Sequence, residues 1–332
     1  MKKKILVLGA SGAMAVYLIP ELLRMGYSVH GVSLDDLTSD SPCLTYEKAN
    51  AFDMDYLSEL LKQNFDGIVD FRLYIDDEKF VIYRDLFLKN TSHYIFLSTY
   101  RVYAESVPTA ETSPRLYDVS NDEVLLNSND YSIYKAKEED IMRKSPTRNY
   151  TIIRPAITFS KRRFQLCTLE ASVLVYRMKA GKTVILPEDA MDVQATLSWA
   201  GDVAKMIARL LFNDKAYGET YSVCTSEHHT WREIAEMYKE IGGLDYKVVP
   251  TEDYIRAYGN NNLYARQQLI YDRCLNRVMD NSKILRDTGL TAADITPIKK
   301  ALKMEYDNLN PDDIGCDIDA NKRIDDYLAD LK

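Results

Sequence analysis

Tyr131 and Lys135 stand four residues apart in "DYSIYKAKEE", a spacing that stacks both side chains on one face of a helix. An ammonium beside a phenol favours phenolate, so such a tyrosine can exchange a proton with a substrate hydroxyl near neutral pH. In a chain with 24 tyrosines a chance Tyr-x-x-x-Lys is unsurprising. The weight of this one comes from its position after "FLSTYRVY", where Thr99 can place a hydroxyl near the tyrosine. Tyr134, the nearby rival, has no lysine at its own fourth position.

A second chemical signal stands near the start, in "GASGAMA". An apolar strand that runs into a Gly-rich turn and then a helix gathers unpaired backbone N–H groups at the positive end of the helix dipole, which suits a pyrophosphate. Gly9 can make the tight turn, Gly12 lets the backbone approach the phosphates, and Ala15 is small enough for close helix-to-strand packing. Ser11, Ala13 and Met14 share the turn. At the end of the next strand Ser33 takes the place expected for a ribose contact, followed by Asp35 and Asp36. No arginine follows to hold a 2'-phosphate, so NAD is favoured, with NADP left open.

The elements that must position these residues alternate. "KILVLGA" reads as a strand buried on both faces, "VYLIPELLRMGY" as a helix ending near Gly26, and "SVHGVSL" as a second strand. Helix, strand, helix and strand follow at "DYLSELLKQN", "DGIVDF", "KFVIYRDLFLKN" and "HYIFLST". A long helix at "SNDYSIYKAKEEDIMRK" then leads to one strand over "YTIIRPAITF". This spacing predicts right-handed βαβ units and an α/β, Rossmann-type doubly wound parallel sheet. Residues 1–160 are expected to form the dinucleotide domain, with the Tyr/Lys helix included. Residues 161–332, which lack another Gly-rich start, are expected to form a smaller C-terminal α/β substrate lobe with some segments returning to the sheet.

Composition sets limits. The 332 residues can bury a sizeable core, and 46% hydrophobic with 28% charged residues is ordinary for a globular protein. A net charge of -8 offers no general attraction to nucleic acid or to an anionic membrane. The five cysteines are odd in number and widely spaced without a CxxC pair, which points to reduced thiols in a cytoplasm and no metal site. The apolar run in "MKKKILVLGA" stops at a glycine, too short for a signal peptide or a membrane span.

In this order, "GASGAMA", "FLSTYRVY", "YSIYKAKEE", "IIRPAITF", "LSWAGDVAKMIARLL", "GETYSVCTSEHHTWREIAE" and "DNSKILRDTGL" make the chain resemble the extended short-chain dehydrogenase/reductases of the NAD-dependent epimerase/dehydratase type, over nearly its whole length. "DGIVDFRLY", "YIFLSTYRVY" and the late "DNSKI" look most like bacterial nucleotide-sugar epimerase homologues related to chloroplast stem-loop RNA-binding proteins.

The resemblance implies that Gly9, Gly12 and Ala15 line the pyrophosphate, and that Asn50 and Ala51 approach adenine. Thr99, Tyr131 and Lys135 would be the catalytic trio, with Lys135 also holding the nicotinamide ribose and Pro155 and Ala156 beside the nicotinamide. It implies an oxidoreductase or epimerase acting on a hydroxyl of a nucleotide-linked sugar, and a homodimer paired through the tyrosine helix. Two other readings stay open: a reductase or dehydrogenase of a small carbonyl substrate, and a cofactor-binding protein with an RNA-binding or regulatory role. The intact trio and the acidic charge weigh against the last.

The chain departs from the resemblance in three places. Phe71 and Arg72 stand where small residues are common after the fourth strand, and are expected to crowd the cofactor or to give it a charge contact. The 4,6-dehydratases follow the Ser/Thr with an Asp-Glu pair that performs elimination, whereas Thr99 is followed by Tyr100 and Arg101, which argues against dehydration. The arginine many sugar-nucleotide epimerases keep ahead of Asp202 is missing from "VQATLSW".

Other candidates compete with plainer readings. Lys161, Arg162 and Arg163 in "SKRRF" can meet a substrate phosphate or form a solvated basic turn. Arg273, Arg277 and Lys283 are further candidate anion contacts, and the Tyr- and Asn-rich stretch before Arg277 is a candidate lid, RNA-contacting loop or structural cover. His228 and His229 point to opposite sides of an extended segment, and a Thr230–Glu233 capping box explains the region better than a metal. "DIDANKRIDD" fails as a calcium loop because Lys322 and Leu328 replace the required glycine and glutamate.

Overall fold

The computed structural model describes residues 2–128, 130–161, 163–310 and 313–331. Seven parallel strands form the central sheet: β1 (Lys4–Leu8), β2 (Ser28–Ser33), β3 (Leu44–Lys48), β4 (Gly67–Asp70), β5 (His93–Leu97), β6 (Tyr150–Pro155) and β7 (Glu219–Val223). Their order is β7-β6-β5-β4-β1-β2-β3. Chain direction across the sheet therefore reverses between β1 and β4, the place where doubly wound sheets open a crevice at their carboxyl ends.

Strand β1 shows how the sequence builds both layers. Alternate residues face opposite sides, so Ile5 and Val7 pack with Ala15, Leu18, Ile19 and Leu22 of helix α1 (Ala15–Arg24). Leu6 and Leu8 pack on the other face with Leu57 of α2 (Met54–Leu60) and with Phe80 and Phe87 of α3 (Asp77–Asn90). Helix α4 (Tyr131–Arg143), capped by Asp130, lies on the α3 side, while α5 (Ala200–Leu210) lies beside α1. A third core around Trp231, Phe164, Leu174, Tyr238 and Leu302 belongs mainly to the second half of the chain.

The expected single strand over "YTIIRPAITF" is two strands. β6 ends at Pro155, and Ile157–Phe159 pairs instead with Leu197–Trp199. Pro155 has no N–H to continue a ladder, and the next amide, that of Ala156, reaches across to the Val223 carbonyl at 3.1 Å. The third strand, "LTYEK", has no apolar run to announce it: it is an edge strand, half-buried to exposed along its length. "DIDANKRIDD" is the N-cap, Asp317, and the first turns of a helix, Ile318–Asp330, and Thr230 and Glu233 form the expected capping box. The five cysteines are unpaired. Among the described residues no helix is long and apolar enough to cross a membrane.

Candidate active site

The turn from β1 into α1 is built on Gly9, whose φ of +80° is left-handed territory that a side chain resists. Its N–H and that of Ala10 both donate to the Val32 carbonyl at 3.0 Å, fixing the turn to β2. A Cβ on Gly12 would lie 3.2 Å from the Gly9 carbonyl oxygen, a tight contact that a glycine avoids. The N–H groups of Ala13 and Met14 find no backbone acceptor among the described residues and remain free for an anion at the start of α1.

A cavity of about 320 Å³ continues from Gly9 and Ser11 along the end of β2 to Ser33, Leu34 and Asp35, with Asn50, Ala51 and Phe52 as its far wall. Ser33 Oγ donates to Ser11 Oγ at 2.8 Å and accepts from the Asp35 amide at 3.0 Å, which ties the turn to the acidic end of β2. Asp36 stands apart, exposed and 3.9 Å from Lys48.

Arg72 borders this cavity but does not serve it. Its guanidinium pairs with both oxygens of buried Asp70 at 2.9 Å and also donates to Tyr74 Oη and the Ala51 carbonyl. The rings of Phe52, Tyr74, Tyr83 and Phe87 surround it with centroids 4.9–5.1 Å from Cζ. Four of the five guanidinium N–H groups are thus engaged inside the protein, although Arg72 lines the cavity. Phe71 lines neither this cavity nor the next; it packs in the α1 layer, its Cβ 3.3 Å from where a Cβ on Gly9 would stand.

The second cavity, about 480 Å³, brings together Met14, Thr99, Tyr131, Pro155 and Ala156. Thr99 ends the β5 segment and caps the following turn, its Oγ1 accepting from the Arg101 amide at 3.2 Å. Tyr131 is the first residue of α4; Asp130, which accepts from the Ser132 amide at 2.8 Å and from Ser132 Oγ at 2.6 Å, fixes where the phenol starts. The Tyr131 ring meets Tyr134 edge-on at 5.3 Å and carries the Arg101 guanidinium 5.5 Å from its centroid. Burial pushes the Tyr134 phenol far up, away from proton exchange near neutrality.

Lys135 is fully buried and lines neither cavity. Its ammonium donates to the Leu97 carbonyl at 2.9 Å and to Glu138 at 2.7 Å, and no hydrogen bond joins it to Tyr131. Burial raises the Glu138 carboxyl to about 7, and the attraction of Lys135 only partly opposes this. The structure thus gives Lys135 a counter-ion within its own helix that the spacing of Tyr131 and Lys135 did not announce.

Of the basic candidates, Arg163 and Arg273 line the second cavity. Lys161 is exposed outside it, and Arg162 lies outside the described residues. Arg277, four residues after Arg273, is enclosed instead: it donates to the Tyr103 carbonyl and to Asp272, both at 2.9 Å. Lys283 is bound to Glu219 and the Thr220 carbonyl at 2.9 Å, beside the β7 edge. Neither is an anion contact of this cavity. Residues not foreseen as lining are Arg101, Tyr134, Thr158, Tyr264 and Gln268. Arg101 had a readable signal, its place two residues after Thr99; Tyr264 and Gln268 belong to the stretch read as a candidate lid, RNA-contacting loop or structural cover.

Solved structures share this fold. UDP-glucose 4-epimerase of Thermotoga maritima, determined with UDP-glucose, is 17% identical with a TM-score of 0.68, over 92% of this chain and 97% of that one. WbmG of Bordetella bronchiseptica, determined with NAD, is 17% identical with a TM-score of 0.68, over 93% and 95%. A short-chain dehydrogenase/reductase superfamily protein of Agrobacterium tumefaciens with bound NAD is 14% identical with a TM-score of 0.66, over 99% of both. No curated protein sequence matches the chain. The sequence profile of the NAD dependent epimerase/dehydratase family matches residues 5–224, and with the strand order and glycine turn described above this settles the affiliation. The chain belongs to the NAD dependent epimerase/dehydratase family.

Proposed function

We propose that this protein is an NAD-dependent oxidoreductase of the epimerase kind, acting on a hydroxyl of a nucleotide-linked sugar. The observation that carries the reading is that Thr99 and Tyr131 open into one cavity with Pro155, Ala156 and Met14, the last of which belongs to the glycine turn. The cradle fits a dinucleotide: a Cβ on Gly12 would press on the Gly9 carbonyl, and the Ala13 and Met14 amides just before α1 have no backbone acceptor among the described residues.

NAD held by the Gly9–Gly12 turn would supply the hydride acceptor for oxidation of the carbinol carbon and its return. Tyr131 Oη receives the hydroxyl proton, and Thr99 Oγ1 holds the same oxygen in line. Asp130 holds the start of α4, and with it the phenol, in place. The dehydratase reading has no support, because Arg101 stands where an acid would be needed.

The test is Tyr131→Phe. Turnover should fall about 10²- to 10⁴-fold, the usual worth of a positioned acid/base, while NAD affinity is kept; retained turnover sinks the assignment. Recovery of product with the opposite configuration separates an epimerase from a reductase that releases the ketone or alcohol. A cytoplasmic homodimer paired through α4 belongs to the same proposal and is checked by light scattering.

A further inference from the structure

Three arginines, Arg101, Arg163 and Arg273, line the second cavity, and no carboxylate does among the described residues. We infer that the sugar itself carries a carboxylate, held by these three arginines beside the hydroxyl that reacts. The inference rests on the function proposed above and names the substrate class within it.

The charge balance behind the wall supports this. Arg101 donates Nη2 to Asp130 at 3.0 Å; its Nε lies 3.4 Å from Asp272 but has no hydrogen-bond partner, although it is buried. Arg273 gives Nε to the Cys167 carbonyl at 2.9 Å and Nη1 to Asp272. Asp272 is also claimed by Arg277 at 2.9 Å and by the Tyr100 hydroxyl. Arg163 makes no ion pair among the described residues. Three guanidiniums, those of Arg101, Arg273 and the enclosed Arg277, therefore share the carboxylates of Asp130 and Asp272, and Arg163 beside them shares neither. Buried charge without a partner is costly, and an anion in the cavity supplies the missing partner.

Position narrows the anion's place in the substrate. Arg101 follows Thr99 by two residues and lies over the Tyr131 ring at 5.5 Å. Arg101 and Arg273 approach the same oxygen of Asp272, so their guanidiniums are neighbours. All three arginines line the one cavity, and burial, opposed by Tyr100 and aided by repulsion from Arg101 and Arg163, lowers the Arg273 pKa. A planar carboxylate suits that spot because guanidinium pairs with it in a fork. The spot adjoins the reacting hydroxyl, so the carboxylate belongs on the sugar ring and not on a remote linker.

The experiment measures calorimetric affinity of the full-length, NAD-loaded protein for matched pairs: UDP-glucose with UDP-glucuronate, and GDP-mannose with GDP-mannuronate. The diphosphate is common to both members of a pair and cancels. The acid should bind at least about tenfold more tightly, as one charge-assisted contact predicts. Arg163, half-buried and outside the Asp130–Asp272 network, can be changed without unfolding that network. Arg163→Gln should narrow the acid-to-neutral ratio about tenfold, and Arg163→Lys should restore part of it. Equal affinity within every pair, or an unchanged ratio in Arg163→Gln, overturns the carboxylate while leaving the proposed function standing. If no nucleotide sugar of either kind binds, both fall together.

Discussion

Glu139 receives Arg154 Nε at 2.7 Å and Nη2 at 2.6 Å, and takes the Ser98 hydroxyl at 2.6 Å on the same side chain. Ser98 precedes Thr99, Arg154 precedes Pro155, and Glu139 lies on the helix that begins with Tyr131. One buried carboxylate thus joins the three elements that supply the candidate active site. Burial alone would raise its pKa, but Arg154, with help from Arg143 and Ser98, holds it at about 2.

Removing that charge should be costly in a pH-dependent way. Glu139→Gln should lose about 3–5 kcal/mol, as for one partner of a buried pair. The folded-state pKa lies below the ordinary 4.5, so the stabilisation is complete above about 4.5 and is lost as the pH falls toward about 2. Urea denaturation should show a constant deficit from neutrality down to that point and a shrinking one below it. A deficit that stays constant into acid would contradict the role of the charge.

The pair beneath Tyr131 has the opposite sign. Glu138 is raised to about 7, so folding disfavours its charged form, with a penalty that begins above 4.5 and is complete above about 7. Lys135→Met removes the ammonium that offsets it. Its loss of stability, again on the order of 3–5 kcal/mol at alkaline pH, should be smallest near pH 5 and grow through pH 8. Thermal denaturation across that range checks this, and parallel curves for the two proteins would refute it.

The glycine cradle predicts two different failures. Gly9→Ala puts a side chain at φ +80° and should cost about 1–2 kcal/mol of stability. Gly12→Val meets the Gly9 carbonyl and fills the space for phosphate, so NAD affinity should drop more than about tenfold. Wild-type affinity in Gly12→Val, by fluorescence titration, would show that the dinucleotide lies elsewhere.

Cofactor choice follows from what Arg72 does. With its guanidinium enclosed by Asp70 and four rings, the cavity beside Ser33 and Asp35 has no free cation for a 2'-phosphate. NADP should bind at least about tenfold more weakly than NAD. Equal binding would mean that the charge of Asp35 is not felt.

The order of the β1-to-β5 elements and the glycine turn were legible because strands buried on both faces leave unbroken apolar runs and because Gly9 and Gly12 mark the turn between them. β3 was not, since an edge strand needs no apolar run. The Thr99 and Tyr131 side chains could be placed by spacing, whereas Lys135 could not: its direction depends on Glu138 and on the Leu97 carbonyl. The surroundings of Arg72 were not legible for the same reason, as its cage comes from α3 and from the loop at Phe52. Arg273 and Arg277 share one segment, yet a π-helical turn over Leu269–Arg273 leaves the first at the cavity and the second enclosed.

The place of β7 also bears on how the chain is made. β6 is buried along its whole length, between β5 and β7, but β7 is encoded well downstream, beyond the strand at Leu197–Trp199 and the whole of α5. During synthesis the first half can therefore assemble its glycine turn and its tyrosine helix while β6 remains a bare sheet edge, open to pairing with another nascent chain. Maturation of the site waits for Val223 to leave the ribosome, and a fragment cut before it would be an aggregation hazard, not a smaller enzyme.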